Sequence, residues 1–204
     1  MNSINQTTQK LILSDCDGVI LDWEWAFTVW MTERGYQQKP DKKLTYYLHD
    51  HYHDLTHAEA KKVVKTFNES AAIGFLPALR DSAYYVKRLY EEHGCMFRVI
   101  TSLSLDKNAQ KLREMNLRKI FGNAIESVIC LDTGADKDEA LAPYKDSGMW
   151  WIEDKPANAD VGHNIGLNAI LVEHGHNIHH KCTYPIVKNW KEVYELITGD
   201  TNGN

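Results

Sequence analysis

Five short apolar runs punctuate the chain: "KLILSDC", "MFRVIT", "SVICLD", "MWWIED" and "NAILVE". Each is rich in Val, Ile, Leu or aromatic residues, and several are unbroken instead of alternating with polar positions. Strands covered on both faces read this way. Helical spacing occupies the intervals at about 82–93, 106–117, 137–147 and 157–165, and a last helix is expected near 189–198. Alternation of strand and helix predicts an α/β fold, a Rossmann-like parallel sheet sandwiched by helices. One interval breaks the rhythm. Residues 22–77 carry apolar positions at helical spacing, first Trp23, Phe27 and Trp30, then Val63, Val64 and Phe67. A small α-helical cap inserted after the first strand is therefore expected over the strand ends. Residues 1–21 and 78–204 would form the core.

Composition changes this picture little. The 204 residues are 43% hydrophobic and 25% charged, ordinary for a soluble globular protein able to bury a sizeable core. A net charge of −5 disfavours binding to long nucleic acid but leaves room for a small anionic substrate. The polar start "MNSINQTTQK" lacks a secretory signal, and no apolar run is long enough for a membrane span. Cys16, Cys95, Cys130 and Cys182 have no C-x-x-C spacing, so reduced thiols in a cytoplasmic protein are expected.

The chemistry collects where strands end. The first run ends in Asp15-Cys16-Asp17-Gly18, the second in Thr101-Ser102 and the fourth in Glu153-Asp154, and Lys137 follows the third. In a parallel sheet these positions converge on one crevice. Asp15 and Asp17, two apart, face one site, and such close like charges call for a cation or a shared proton. Asp15 and Asp154 offer the hard oxygen ligands that suit Mg²⁺. One carboxylate can attack phosphorus while a second acts as acid and base. Thr101 and Lys137 can hold phosphoryl oxygens, and Gly18 permits a sharp turn beside them.

Together these motifs resemble the haloacid dehalogenase superfamily of aspartate-nucleophile phosphohydrolases over residues 10–173. "DCDGV", "VITS", Lys137 and "WIEDKPANAD" are similar to its four motifs. The resemblance implies a Mg²⁺-dependent phosphatase with Asp15 as nucleophile and Asp17 as acid/base. Asp15, the Asp17 carbonyl and Asp154 would hold the metal, with Glu153 behind them. Dehalogenase members lack the second acid, so Asp17 points to phosphoryl transfer. Within the superfamily, "DCDGVILDWEWAF" and "IGFLPALRD" resemble the 5′(3′)-deoxyribonucleotidase branch. That implies a nucleoside monophosphate substrate, with Trp23 and Phe75 against the base, and Gly18 and Ser102 also at the substrate. Trp25 and Ala26 stand where that branch has glycines. A sugar-phosphate phosphatase or phosphomutase of the same superfamily is the alternative, and a non-catalytic binding module a more distant one. Either a monomer or a homodimer is compatible with the sequence.

Other features have simpler readings. Phe27 and Trp30 suit a buried helix face, and Trp23 fits a core or a base platform equally. His49, His53 and His57 would share one side of a helix. They read as a solvated face, and His174, His176, His179, His180 and Cys182 as a polar loop, in preference to zinc sites. Lys61-Lys62 and Lys42-Lys43 read as exposed helix charge, and "GDTNGN" as a disordered tail. In many relatives an acid at the position of Asp160 touches the site.

Overall fold

The apolar runs become the central sheet of the protein. A computed structural model describes residues 10–40 and 45–200. The first nine residues, the Lys42-Lys43 pair and the end of the "GDTNGN" tail lie outside them. The strands are β1 (Lys10–Ser14), β2 (Cys95–Ser102), β3 (Ile125–Leu131), β4 (Trp150–Glu153), β5 (Asn168–Val172) and β6 (Ile186–Val187). Their order is β3-β2-β1-β4-β5-β6, and every pairing is parallel. The chain lays down β1, β2 and β3 toward one edge, then returns to place β4 on the other side of β1. That reversal opens a crevice at the carboxyl ends of β1 and β4. The sequence predicts five strands, and the sixth has only two residues, too short to leave a periodic signal.

The helices are α1 (Trp23–Thr32), α2 (His57–Asn68), α3 (Ser82–His93), α4 (Lys107–Phe121), α5 (Asp138–Leu141), α6 (Pro156–Asn164) and α7 (Trp190–Thr198). Their ends follow local chemistry. Asp22 accepts from the Trp25 amide at 3.0 Å, and Asp106 from the Ala109 amide at 2.8 Å. Thr56 and Glu59 form a reciprocal capping box at the start of α2. Gly94 closes α3 at φ +66°, a conformation that favours glycine. The helix expected over 137–147 is a correction. It stops after one turn and continues as a 3₁₀ turn over Ala142–Tyr144. Pro143 has no amide hydrogen to extend the helical ladder.

Residues 22–77 hold α1, α2 and a 3₁₀ turn at Ala71–Phe75. The two helices join through aromatic rings. Trp23 stacks on Phe27 at 4.6 Å, and Phe67 meets Trp23, Phe27 and Trp30 edge-on at 5.3–5.6 Å. Two backbone segments carry the chain into and out of this region, and they pair. Leu21 bridges Ala78, and the Asp22 amide donates to the Pro77 carbonyl at 2.9 Å. Asn116 of α4 grips the outgoing segment at both polar groups of Leu76, at 2.8 and 3.0 Å.

Under the crevice the packing leaves no slack. Trp151 is fully buried, and a Cβ added at Gly162 would lie 2.3 Å from its Cδ1. Gly162→Ala is expected to lower the unfolding free energy by ~1–3 kcal/mol through overpacking. Urea denaturation checks this, and an unchanged midpoint would contradict the packing.

Candidate active site

Asp15 follows the last residue of β1, and its amide is fixed by the Ile152 carbonyl of β4 at 2.8 Å. Its Oδ1 accepts from the Cys16 amide at 2.6 Å and from Lys137 Nζ at 2.7 Å. Lys137 also donates to Glu153 Oε2 at 2.7 Å. Lys137 is 1% exposed, and its ammonium lies between two buried carboxylates. Burial works to strip its proton, but Asp15 and Glu153 prevail and hold it charged above the ordinary lysine range. Glu153 is committed elsewhere as well. Its Oε1 accepts from the amides of Asp154 and Lys155 at 3.1 and 3.0 Å. These bonds shape the loop that presents Asp154.

Asp15, Glu153 and Asp154 each place a carboxylate oxygen within 4.8 Å of the others. Burial, then the neighbouring Glu153 charge, pushes Asp15 up to about 8 despite Lys137. Burial, then the Asp15 charge, pushes Asp154 up to about 7. One ammonium therefore does not balance the cluster, and its oxygen donors fit a hard divalent cation such as Mg²⁺. Gly18 closes the site from the other side. It has φ +74°, and a Cβ there would lie 2.5 Å from Asp154 Oδ2.

A cavity of 570 Å³ opens above these groups. Asp15, Asp17, Gly18, Thr101, Ser102, Lys137, Glu153 and Asp154 all line it, so the strand-end residues given a chemical role in the sequence reach one space. Thr101 is 1% exposed, and its hydroxyl has no hydrogen-bond partner. Such a group is costly to bury unless a ligand oxygen completes it. Ser102 Oγ is already used, donating to the Ala135 carbonyl at 2.7 Å.

Trp23 both packs and lines the cavity, with its indole nitrogen donating to Asn68 Oδ1 at 2.9 Å. Phe75 does not line it. That ring is 68% exposed and sits 5.9 Å from the Lys119 ammonium on α4. The 3₁₀ turn directs it outward over α4, which corrects the base-contact expectation. Tyr46 and Tyr47 are the aromatics the sequence did not single out, and they line the cavity beside Trp23.

The histidine runs also differ from their expected roles. His49 lies in a 3₁₀ turn and His57 starts α2, so the three do not share one helix. His49 and His57 nevertheless approach at 3.4 Å across the cavity wall. Among the described residues neither run supplies a metal-binding cluster. Instead, His174 donates to the Gly18 carbonyl at 2.6 Å, and Asn177 to the Asp154 carbonyl at 2.7 Å. His176 lies 3.5 Å from Asp154 Oδ2. This loop after β5 thus props both acidic loops, a contact that no sequence spacing signals. Asp160 accepts from the Tyr184 hydroxyl at 2.6 Å and does not line the cavity. Asp17 meets a partner the sequence did not single out, Arg113, which is fully buried on α4.

The crowding of charge has a measurable sign. Asp15 and Asp154 bind protons more tightly folded than unfolded. Their contribution is fullest below the ordinary carboxylate range and is lost as pH climbs toward about 7 and about 8. In EDTA, unfolding free energy is expected to fall by more than about 1.4 kcal/mol between roughly pH 5 and 8. Mg²⁺ or Asp15→Asn should remove most of that slope. A flat profile in EDTA would contradict the charge crowding.

No protein-family model matches the chain, and no curated protein does so. Solved structures do. A haloacid dehalogenase-like hydrolase from Streptococcus pneumoniae superposes with TM-score 0.62 at 14% identity, covering 92% of this chain and 98% of that one. The HAD-hydrolase YfnB from Bacillus subtilis, described as putative and bound to magnesium, gives 0.59 at 16% identity, covering 93% and 98%. L-2-haloacid dehalogenase from Xanthobacter autotrophicus gives 0.60 at 11% identity, covering 93% and 98%. At these identities the likeness is one of architecture: the chain has the fold of the haloacid dehalogenase-like hydrolases.

Proposed function

We propose that this protein is a Mg²⁺-dependent phosphomonoester hydrolase that works through an aspartyl-phosphate on Asp15. The observation that carries this reading is the unpartnered Thr101 hydroxyl, buried beside the Asp15–Lys137 pair. It supplies a donor where a phosphoryl oxygen would complete it. Asp15 Oδ1 is held by Lys137 and the Cys16 amide, and among the described residues nothing donates to Oδ2, which leaves that oxygen for the attack. Attack from Asp15 forms the new P–O bond as the ester P–O bond breaks, and Asp17 protonates the departing oxygen. Asp17 then takes a proton from the water that attacks the phospho-Asp15, which releases phosphate and regenerates the carboxylate. Asp15, Asp154 and the Asp17 carbonyl would hold Mg²⁺, with Glu153 behind them. The bound ion supplies neutralisation of phosphoryl charge. The region 22–77 acts as a cap that closes the leaving-group side.

For the substrate, the favoured reading is a nucleoside or deoxyribonucleoside 5′-monophosphate. The aromatic wall of Trp23, Tyr46 and Tyr47 supports it, since any base offers a π face. A sugar-phosphate substrate is the second reading, supported by His57, Lys61 and Asn68 on the same wall.

Phosphate release from nucleoside monophosphates and sugar phosphates, in Mg²⁺ and in EDTA, tests both. Release should require Mg²⁺ and fall by roughly 10³-fold or more in Asp15→Asn. Trp23→Leu should raise KM for nucleotides roughly tenfold, as a stacking loss of ~1–3 kcal/mol implies, and leave sugar phosphates unaffected. Release confined to sugar phosphates would overturn the nucleotide reading. No release from any ester would overturn the hydrolase reading.

A further inference from the structure

Arg113 is the largest charged side chain fully enclosed in the protein, and the phosphatase scheme above has no use for it. It projects from α4 beneath the loop that follows β1. Both terminal nitrogens of its guanidinium meet the Asp17 carboxylate, Nη1 at Oδ1 and Nη2 at Oδ2, the latter at 3.0 Å. Nη1 also donates to Cys16 Sγ at 2.9 Å. Nε has no hydrogen-bond partner, so among the described residues Asp17 and Cys16 are what satisfy this buried cation. Among the described residues, Asp17 is the carboxylate that Arg113 meets.

The pair suits a role in orientation. A carboxylate has about four lone-pair sites, and a bidentate fork uses two. The other edge of Asp17 remains available to the cavity that it lines. The fork also prevents rotation about the carboxylate's last bond, which an ammonium could not do. The support is itself fixed. One turn along α4, Asn116 is 2% exposed and holds Leu76 at the outgoing end of the cap region. Arg113 and Asn116 are three apart, so the same helix face grips the acid/base loop and the cap's linker.

We propose that Arg113 is a positioning residue for Asp17, fixing the edge that this carboxylate turns to the leaving group, from a helix face that also anchors the cap linker. The inference rests on the phosphatase reading. Its specific consequence is that, in the step that forms phospho-Asp15, Arg113 matters where the leaving oxygen needs a proton and little where it does not.

The test compares two phosphate monoesters in Mg²⁺. p-Nitrophenyl phosphate departs as a stable anion, whereas an alkyl phosphate requires protonation. In Arg113→Met, kcat/KM for the alkyl ester, which reports the steps up to formation of phospho-Asp15, should fall by roughly tenfold or more, within the range that general acid catalysis supplies. For the aryl ester kcat/KM should change by less than about threefold. Arg113→Lys keeps the buried charge without the fork and serves where the Met variant does not fold. It should show the same split between esters. Asp17→Asn, which strands the guanidinium, should lower the melting temperature. Equal losses of kcat/KM on both esters, or no loss on either, would overturn the role of Arg113 while wild-type turnover upheld the phosphatase reading. No turnover by the wild type would overturn the phosphatase reading itself, and the positioning role with it.

Discussion

The Lys137 ammonium, enclosed between Asp15 and Glu153, is the constraint on which the rest of the site depends. Three carboxylates, Asp15 and Glu153 buried and Asp154 half-buried, lie together with one lysine among them. Taking such charges out of water costs several kcal/mol each unless partners answer them. Each part of the surroundings answers some of that cost. The backbone amides of Cys16, Asp154 and Lys155 donate to carboxylates, and Gly18 makes room for Asp154. The remaining negative charge fits a hard divalent cation.

The sheet order explains why these groups meet. Asp15 and Asp154 come from strands far apart in sequence but adjacent in space, because the chain reverses direction between β3 and β4. Thr101 arrives from β2 on the other side of β1. Residues 22–77 contribute aromatic and polar side chains to the opposite wall, and α4 braces both sides through Arg113 and Asn116. A change in α4 can therefore reach the Asp17 loop without touching the cavity.

Much of this was legible in the residues. The unbroken apolar runs mark the parallel strands, and Asp15, Thr101, Lys137 and Asp154, at or after their carboxyl ends, meet because strand ends in such sheets share one crevice. Two kinds of feature were not legible. Phe75 sat at a plausible motif position, but the direction of its ring depends on how a 3₁₀ turn lies on α4. Arg113, His174 and His176 reach the acidic loops only through tertiary packing, and each looks locally like an ordinary helix or loop residue. The 137–147 segment shows a local error, since helical spacing there outweighed the stop at Pro143.

The central claim is that Asp15 receives the phosphoryl group. Acid quenching during turnover of a phosphate monoester, followed by peptide mass spectrometry, tests it most directly. The account predicts a phosphoryl adduct on the peptide carrying Asp15, absent from Asp15→Asn. Phosphate release with Asp15 unmodified, or an adduct on another residue, would contradict it.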